Sequence, residues 1–195
     1  MSEFQLYFVL GKDHILDYLN GYDHILFVVA LCAVYLFKEW KKVLVLVTAF
    51  TIGHSITLAM ATLQIISVRS DVVEFLIPVT ILVTAAGNLF RSEEGKGRGR
   101  VQTNYLLALF FGLIHGMGFS NYLRALLGKD QSITTQLLAF NLGLELGQLV
   151  IVAFFMASGF ILVDLIHVSR RDWKMVISSA IGGIALVLIK EKIFW

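Results

Sequence analysis

Long runs of apolar residues recur along this chain and constrain its fold more than any other feature. Of its 195 residues, 57% are hydrophobic and 15% are charged, whereas soluble domains carry about 25% charged residues. Several runs reach roughly 18 residues, enough to cross a hydrocarbon core of about 30 Å. Lipid offers no partners for backbone polar groups, so such runs form helices. The sequence therefore predicts an all-α, polytopic membrane bundle with lipids around it.

Six transmembrane helices are predicted from the positions of these runs. They cover residues 22–37, 43–63, 73–90, 102–120, 134–165 and 174–190, with a solvated loop at 91–100. The chain start lacks the basic residues and cleavage site of a signal peptide, so residues 1–21 are expected to form a short N-terminal interfacial segment. No linker divides the chain. We therefore expect a single integral membrane domain over residues 1–195, with the six-helix bundle at 22–190.

Charge and cysteine content narrow the possibilities further. Ten Lys and Arg residues lie in the first, third and fifth connections, against six on the other side. Basic loops remain in the cytoplasm, which predicts both termini outside. The net charge of +2 is spread over short loops and gives no sign of nucleic-acid binding. The single cysteine, Cys32, excludes a disulfide framework or a thiolate metal cluster within one chain.

Ionisable residues within the apolar runs are the candidate functional residues, because each costs a few kcal/mol to insert. The candidate metal ligands, from just before the first span to the fifth, are His14, Asp23, His24, His54, His115 and Glu145. At about 1.5 Å per residue, the five that lie within spans fall in roughly the outer half of the membrane. Their helices run in opposite directions, so a shared depth favours one common site.

Helical spacing supports a shared interior. Asn141, Glu145 and Gln148 lie on one face of the fifth helix, as residues three and four apart do. The polar neighbours expected to support the ligands are Thr51, Ser55, Asn141 and Gln148. A stripe formed by Thr80, Thr84 and Asn88 is interpreted as interhelical packing rather than as a set of ligands.

Imidazole and carboxylate groups without thiolates suit Ni²⁺, Co²⁺ or Zn²⁺. The sequence Asp-His-Ile-Leu occurs twice, at 13–16 and 23–26, and acidic residues of the outer segments would attract cations. The doubled pair is interpreted as an entrance followed by a first ligand pair. Two other interpretations compete with it. A lone membrane histidine more often bonds a neighbouring helix, and His14 fits the surface of an interfacial helix equally well.

Four ordered motifs carry a family resemblance: GYDHILFVVAL, FTIGHSITLA, FGLIHGMGFSNYL and NLGLELGQL, across most of residues 11–150. The chain resembles the HupE/UreJ family of bacterial membrane proteins, in particular its branch of short, UreJ-like, six-helix members. The resemblance implies a cytoplasmic (inner) membrane protein and nickel or cobalt uptake serving hydrogenase and urease. It also implies that Asp23 and His24 handle the metal and that His14 is the upstream histidine of the Gly-x-Asp-His motif.

Three functions remain open at this point. The leading one is a nickel or cobalt permease in which the metal ion is the substrate. The alternative is an intramembrane zinc-dependent hydrolase or protease, with Glu145 or Asp23 as general base and the metal as cofactor, so enzymatic activity is undecided. The third is b-type haem held between His54 and His115, which leaves the carboxylates unexplained.

Overall fold

The computed structural model describes residues 2–19, 21–90, 98–127 and 133–195, and these residues form helices and turns with no β-strand. The α-helices within these ranges are α1 (Glu3–Leu16), α2 (Tyr22–Cys32), α3 (Trp40–Thr62), α4 (Ser70–Leu89), α5 (Arg98–Gly118), α6 (Ser120–Leu127), α7 (Ile133–Gly159) and α8 (Arg170–Glu191). A 3₁₀ turn (Phe37–Glu39) precedes α3, and a π-helical turn (Phe160–Leu165) extends α7. The all-α prediction is confirmed. Most of the loop predicted at 91–100 lies outside the described residues.

Among the residues that the structure describes, four helical segments are long and apolar enough to cross a membrane: Phe37–Thr62, Ser70–Leu89, Ile133–Leu165 and Arg170–Glu191. α5 and α6 meet at a bend of 48° and form a fifth candidate if they are taken as one span. The first predicted span, 22–37, corresponds to α2, which has 11 residues. At about 1.5 Å per residue this is near half of a hydrocarbon core. The predicted count of six spans is therefore not confirmed.

Glycines bring two pairs of helices into backbone contact. A Cβ atom at Gly112 or Gly116 of α5 would overlap the carbonyl oxygens of Phe50 and His54 on α3, and one at Gly143 of α7 would overlap that of Phe8 on α1. Lipid tails are as apolar as leucine, so close van der Waals packing of small residues stabilises helix pairs in a membrane. α3 and α5 run in the same direction, since Gly112 meets Phe50 and Gly116 meets His54.

α1 packs lengthwise against α7. Ser2 and Gln5 form a capping box at its start, and Gln136 Nε2 on α7 donates to the Glu3 carboxylate at 2.8 Å. The prediction that residues 1–21 form an interfacial segment is accordingly not confirmed. A connection at residues 17–21 separates α1 from α2.

α2 lies at the centre of the bundle and contacts α3, α4, α7 and α8. Phe27, Val28, Ala30 and Cys32 are buried along it, as expected of a helix that is apolar on all sides. Asn88 Nδ2 on α4 donates to the Ala30 carbonyl at 2.8 Å. α2 therefore positions its first turn, which carries Asp23 and His24, inside the protein.

One arginine joins the predicted cytoplasmic connections. Arg170, at the start of α8, donates to the Val34 carbonyl at 2.8 Å and to the Glu39 carboxylate at 3.1 Å. A cation near the last carbonyls of a helix is favourable because it opposes the helix dipole. This contact places the first and fifth connections at the same end of the bundle.

Candidate metal-binding site

Four histidine rings from four helices meet in the interior. His14 lies in the last turn of α1, His24 in the first turn of α2, His54 in the middle of α3 and His115 near the end of α5. The His24 ring centroid is 4.7 Å from His14, 6.2 Å from His54 and 5.0 Å from His115, and His14 lies 6.5 Å from His54. The predicted common site is thus a real cluster of imidazoles, here called the histidine cluster.

Three of these residues have the spacing of a metal site. One ring nitrogen from each of His14, His24 and His54 can be chosen so that all lie within 4.8 Å of one another. Ligands at about 2.0–2.1 Å from a common zinc ion, and at similar distances from other divalent transition metals, are separated by less than this limit. Small side-chain movements would therefore suffice to close the three rings around one cation.

Five ring nitrogens of the histidine cluster are buried without a hydrogen-bond partner among the described residues. They are Nε2 of His14, Nε2 of His24, both nitrogens of His54 and Nδ1 of His115. A buried polar atom without a partner costs about 1–3 kcal/mol, and a cluster of them calls for an explanation. A neutral imidazole has one lone-pair nitrogen, so each ring can offer one ligand atom, and this donor set fits a borderline divalent cation.

Hydrogen bonds fix which nitrogen of two rings faces the cluster. Asp23 Oδ1 lies 2.9 Å from His24 Nδ1 and also accepts from the His24 backbone amide at 2.8 Å. Thr80 Oγ1 donates to the Ile77 carbonyl at 2.7 Å and lies 3.1 Å from His115 Nε2. If the carboxylate and the hydroxyl oxygen accept from the rings, His24 Nε2 and His115 Nδ1 keep lone pairs. A carboxylate behind a ligating histidine is the usual support of a metal-bound imidazole.

A cavity of about 990 Å³ reaches three of these rings, and the carboxylates that line it are called the acidic rim. His14, His24 and His115 line it at depth, and the carboxylates along it belong to Asp13, Asp17, Asp23, Glu74 and Glu191. Lys192 donates to Glu74 at 2.7 Å, and this hydrogen bond raises the pKa of the lysine above its usual value. The excess of carboxylates gives the cavity a negative potential that attracts cations.

Glu145 lies apart from the histidine cluster. Its carboxylate accepts from Thr48 Oγ1 at 2.8 Å, and it does not belong to the group of candidate ligands that the three histidines form. One turn further along α7, Gln148 Oε1 accepts from Thr51 Oγ1 at 2.7 Å. Helical periodicity identified the polar face of α7 but not its rotation relative to α3. The structure thus brings together His14, His24, His54, His115 and Asp23, and leaves Glu145 outside.

The four predicted supporting residues connect α3 and α7 or bond within them. Besides the Thr51–Gln148 bond, Ser55 Oγ donates to the Thr51 carbonyl at 2.7 Å and Asn141 Nδ2 to the Leu137 carbonyl at 2.8 Å. Gln148 Nε2 and Asn141 Oδ1 are buried and make no hydrogen bond of ordinary geometry to a described residue. The Asn141 side chain nevertheless lies close enough to His54 to interact with its ring, which links α7 to the histidine cluster.

Aromatic rings pack against the cluster, and no motif in the sequence indicated which ones. Phe119 lies 4.0 Å from the His14 ring, while Phe27 and Phe50 lie 5.0 Å and 5.2 Å from His115. The chain has 15 phenylalanines, several of them exposed, so composition does not separate these three from lipid-facing ones. The His24 ring lies within 6.2 Å of His54 and 5.0 Å of His115, the two rings that the haem hypothesis would place on opposite sides of the iron.

Thr80 is the other contact that sequence reasoning undervalued. It belongs to the stripe interpreted as packing, yet its hydroxyl contacts His115. Its helical register with Thr84 and Asn88 was visible in the sequence. Its pairing with α5 was not, because periodicity does not identify the neighbouring helix.

A family model described as HupE / UreJ protein matches residues 1–192. No curated protein and no solved structure matches the chain significantly.

Proposed function

Because the chain belongs to the HupE/UreJ family, we propose that it is a permease for nickel or cobalt ions and that the histidine cluster is the binding site for the ion in transit. The family is linked to nickel and cobalt transport. The observation that supports this assignment is the set of five buried, unpartnered ring nitrogens at the inner end of an acid-lined cavity.

The cavity and the cluster suggest how a cation would be taken up. Carboxylates of the rim raise the local concentration of hydrated cations, and they remain solvated while they do so. Deeper in the cavity, imidazole nitrogens replace water in the coordination sphere, and these are the donors that Ni²⁺ and Co²⁺ favour over carboxylate-only sites. Asp23 holds the His24 ring in one orientation and offsets part of the cation's charge.

We further propose one integral membrane domain in a bacterial inner membrane, with both termini outside. Asp13 and Asp17 near the N-terminus and Leu188 and Lys192 near the C-terminus line the same cavity, which supports placing both ends at one face. The Arg170–Glu39 contact lies at the opposite end, with the basic connections. The acid-lined cavity would then open away from the cytoplasm.

A zinc-dependent hydrolase or protease is the second candidate. Three histidines around one ion, with a fourth position open to solvent, match the ligand set of catalytic zinc. Of the two general bases considered, Glu145 is not in the cluster, while Asp23 lines the cavity but is engaged by His24. This candidate predicts that zinc stays bound and does not cross the membrane.

Binding and uptake measurements on purified protein test the proposal. Radiolabelled Ni²⁺ would be measured for equilibrium binding in detergent and for accumulation in proteoliposomes. His54→Asn removes a fully buried ligand. Loss of a carboxylate behind a metal ligand already costs 10–100-fold in affinity, so loss of a ligand should cost at least about 100-fold.

His167→Asn is the matched control. His167 is exposed, lies outside the cluster and has a φ of 65°, a conformation that asparagine tolerates. We expect wild type and His167→Asn to bind and accumulate Ni²⁺ equally, and His54→Asn to do neither. Tight zinc binding without flux of any ion would replace the permease with the hydrolase. Unchanged binding by His54→Asn would refute the site itself.

A further inference from the structure

A second cavity lies at the other end of the bundle, between the ends of α2 and α4 and the start of α5. Its volume is about 310 Å³. Tyr35, Thr84, Asn88, Thr103 and Asn104 supply its polar groups, and no charged side chain lines it among the described residues. It differs in this respect from the acid-lined cavity, whose rim is rich in carboxylates.

A polar stripe on α4 connects the two regions. Thr80 contacts His115 at 3.1 Å, and Thr84 and Asn88, one and two turns further along the same face, line the second cavity. At about 1.5 Å per residue, Thr80 and Asn88 are roughly 12 Å apart along the helix. The side-chain oxygen atoms of this stripe therefore form a row that runs from the histidine cluster to the second cavity.

Three buried phenylalanines pack against one another next to the histidine cluster. Phe27 lies 4.9 Å from Phe50 and 5.9 Å from Phe111, measured between ring centroids. Phe27 and Phe50 both contact the His115 ring, whereas Phe111 lines the second cavity. The rings of Phe27, Phe50 and Phe111, here called the aromatic barrier, thus fill the space between the cluster and that cavity.

We propose that the second cavity is the inward branch of the cation pathway, that the stripe of Thr80, Thr84 and Asn88 is its polar wall, and that the aromatic barrier is the gate closing it. This inference rests on the permease function proposed above. It supplies the inner half of a route for which the sequence offered few polar residues.

The two ends of this route differ in how strongly their groups would hold the ion. A conducting pathway must bind its ion firmly enough to admit it and weakly enough to release it. Imidazole nitrogens suit nickel and cobalt, while neutral hydroxyl and amide oxygens hold them less strongly. Hydrophobic constrictions block ions by excluding water, so rotation of the rings of the aromatic barrier would admit water and the ion together.

Two substitutions test the route by Ni²⁺ flux in proteoliposomes. Thr84→Val keeps the shape of the side chain and removes its oxygen, and we expect uptake to fall at least about tenfold while Ni²⁺ binding stays unchanged. Phe111→Ala opens the barrier, and we expect preloaded vesicles to lose Ni²⁺ at least about threefold faster than wild type.

Matched controls carry the same chemical changes outside the proposed route. Phe154→Ala alters a phenylalanine that is 76% exposed on α7, and Thr134→Val alters an exposed threonine near the start of that helix. Both are expected to transport as wild type does. Retained Ni²⁺ binding shows that a variant is folded, and if Phe111→Ala fails to fold, Thr84→Val alone decides.

Thiol labelling distinguishes a water-filled branch from a lipid-filled crevice. Cys32 is the only cysteine of the chain and is buried, so Cys32→Ala provides a clean background. In that background, Thr84→Cys should react with a charged, membrane-impermeant methanethiosulfonate applied from the cytoplasmic side. Bound Ni²⁺ should alter the rate of this reaction.

The outcomes separate this inference from the function beneath it. If Thr84→Val takes up Ni²⁺ at the wild-type rate, or if the Thr84→Cys thiol does not react with the charged reagent, the inward branch is wrong and the permease function is unaffected. If the wild-type protein binds Ni²⁺ but does not transport it, the permease function itself is wrong. Loss of flux in Thr84→Val, with the thiol reactive from the cytoplasmic side, supports the route.

Discussion

At the scale of single residues, the two Asp-His pairs have the same sequence but different contacts. Asp23 lies 2.9 Å from Nδ1 of His24, whereas Asp13 pairs with Lys12 Nζ at 3.1 Å. His14 and His24 nevertheless both reach the histidine cluster. Only the second pair therefore combines a cluster ring with a carboxylate that orients it.

This difference predicts unequal effects of removing the two carboxylates. Asp23→Asn should lower Ni²⁺ affinity by about 10–100-fold, because the amide no longer fixes the ring or offsets the ion's charge. Asp13→Asn in the same cavity should lower it by a clearly smaller factor that shrinks further in high salt. Isothermal titration calorimetry of both variants gives the comparison, and equal losses would contradict the assigned role of Asp23.

The residues of the cluster were more predictable than their partners. Asp23, His24, His54 and His115 stand out because ionisable groups are rare in apolar runs. His14 lies just before the first predicted span, where a position on the surface of an interfacial helix fitted equally well. Glu145 also stood out as an ionisable group in an apolar run, but its contact with Thr48 depends on how α7 is rotated against α3. Rotation is set by packing across the whole interface, and periodicity within one helix does not contain it.

At the scale of elements, the α3–α5 contact holds two of the four histidines. Gly116 packs against the backbone of His54 so closely that a Cβ atom would overlap its carbonyl oxygen. The two helices must therefore move apart to accept any side chain there. Overpacking of this kind typically costs about 1–3 kcal/mol.

Gly116→Ala is thus expected to lower thermal stability in detergent and to weaken Ni²⁺ binding, since it displaces His54 from His115. Gly183→Ala on α8 is the control, because nothing lies within 4 Å of the position that its Cβ would take. Alanine has a higher helix propensity than glycine, so this control should be neutral or slightly stabilising. The two variants would be compared by thermal unfolding and by calorimetry. A Gly116→Ala protein with wild-type melting and binding would show that the tight contact is dispensable.

Helices were predicted well where one apolar run makes one helix, as for α3, α4 and α8. The prediction was poorer where a turn or a bend interrupts an apolar run. α2 ends at Cys32 rather than at residue 37, and the separate helix α6 after the bend at Phe119 was not expected. Burial by neighbouring helices allows a short helix such as α2 to persist, and hydropathy cannot distinguish that burial from contact with lipid.

At the scale of the whole molecule, the acid-lined cavity and the Arg170–Glu39 contact lie at opposite ends. With the basic connections inside, the C-terminal tail should face the outside. In a Cys32→Ala background, Ile193→Cys should react with an impermeant maleimide in intact cells. Arg171→Cys, which is also exposed, should react only after permeabilisation. The reverse pattern would turn the acid-lined cavity toward the cytoplasm and make efflux the natural direction.

The interruption at residues 17–21 brings two helix ends close to the four rings. The carboxyl end of α1 carries a partial negative charge of about half an elementary charge, and the amino end of α2 carries the opposite. Asp23, in the first turn of α2, offsets the positive end, so the negative end of α1 dominates nearby. Peptide dipoles do not titrate. The end of α1 therefore makes a fixed contribution that favours positive ions beside the rings, and this contribution does not depend on the protonation of any side chain.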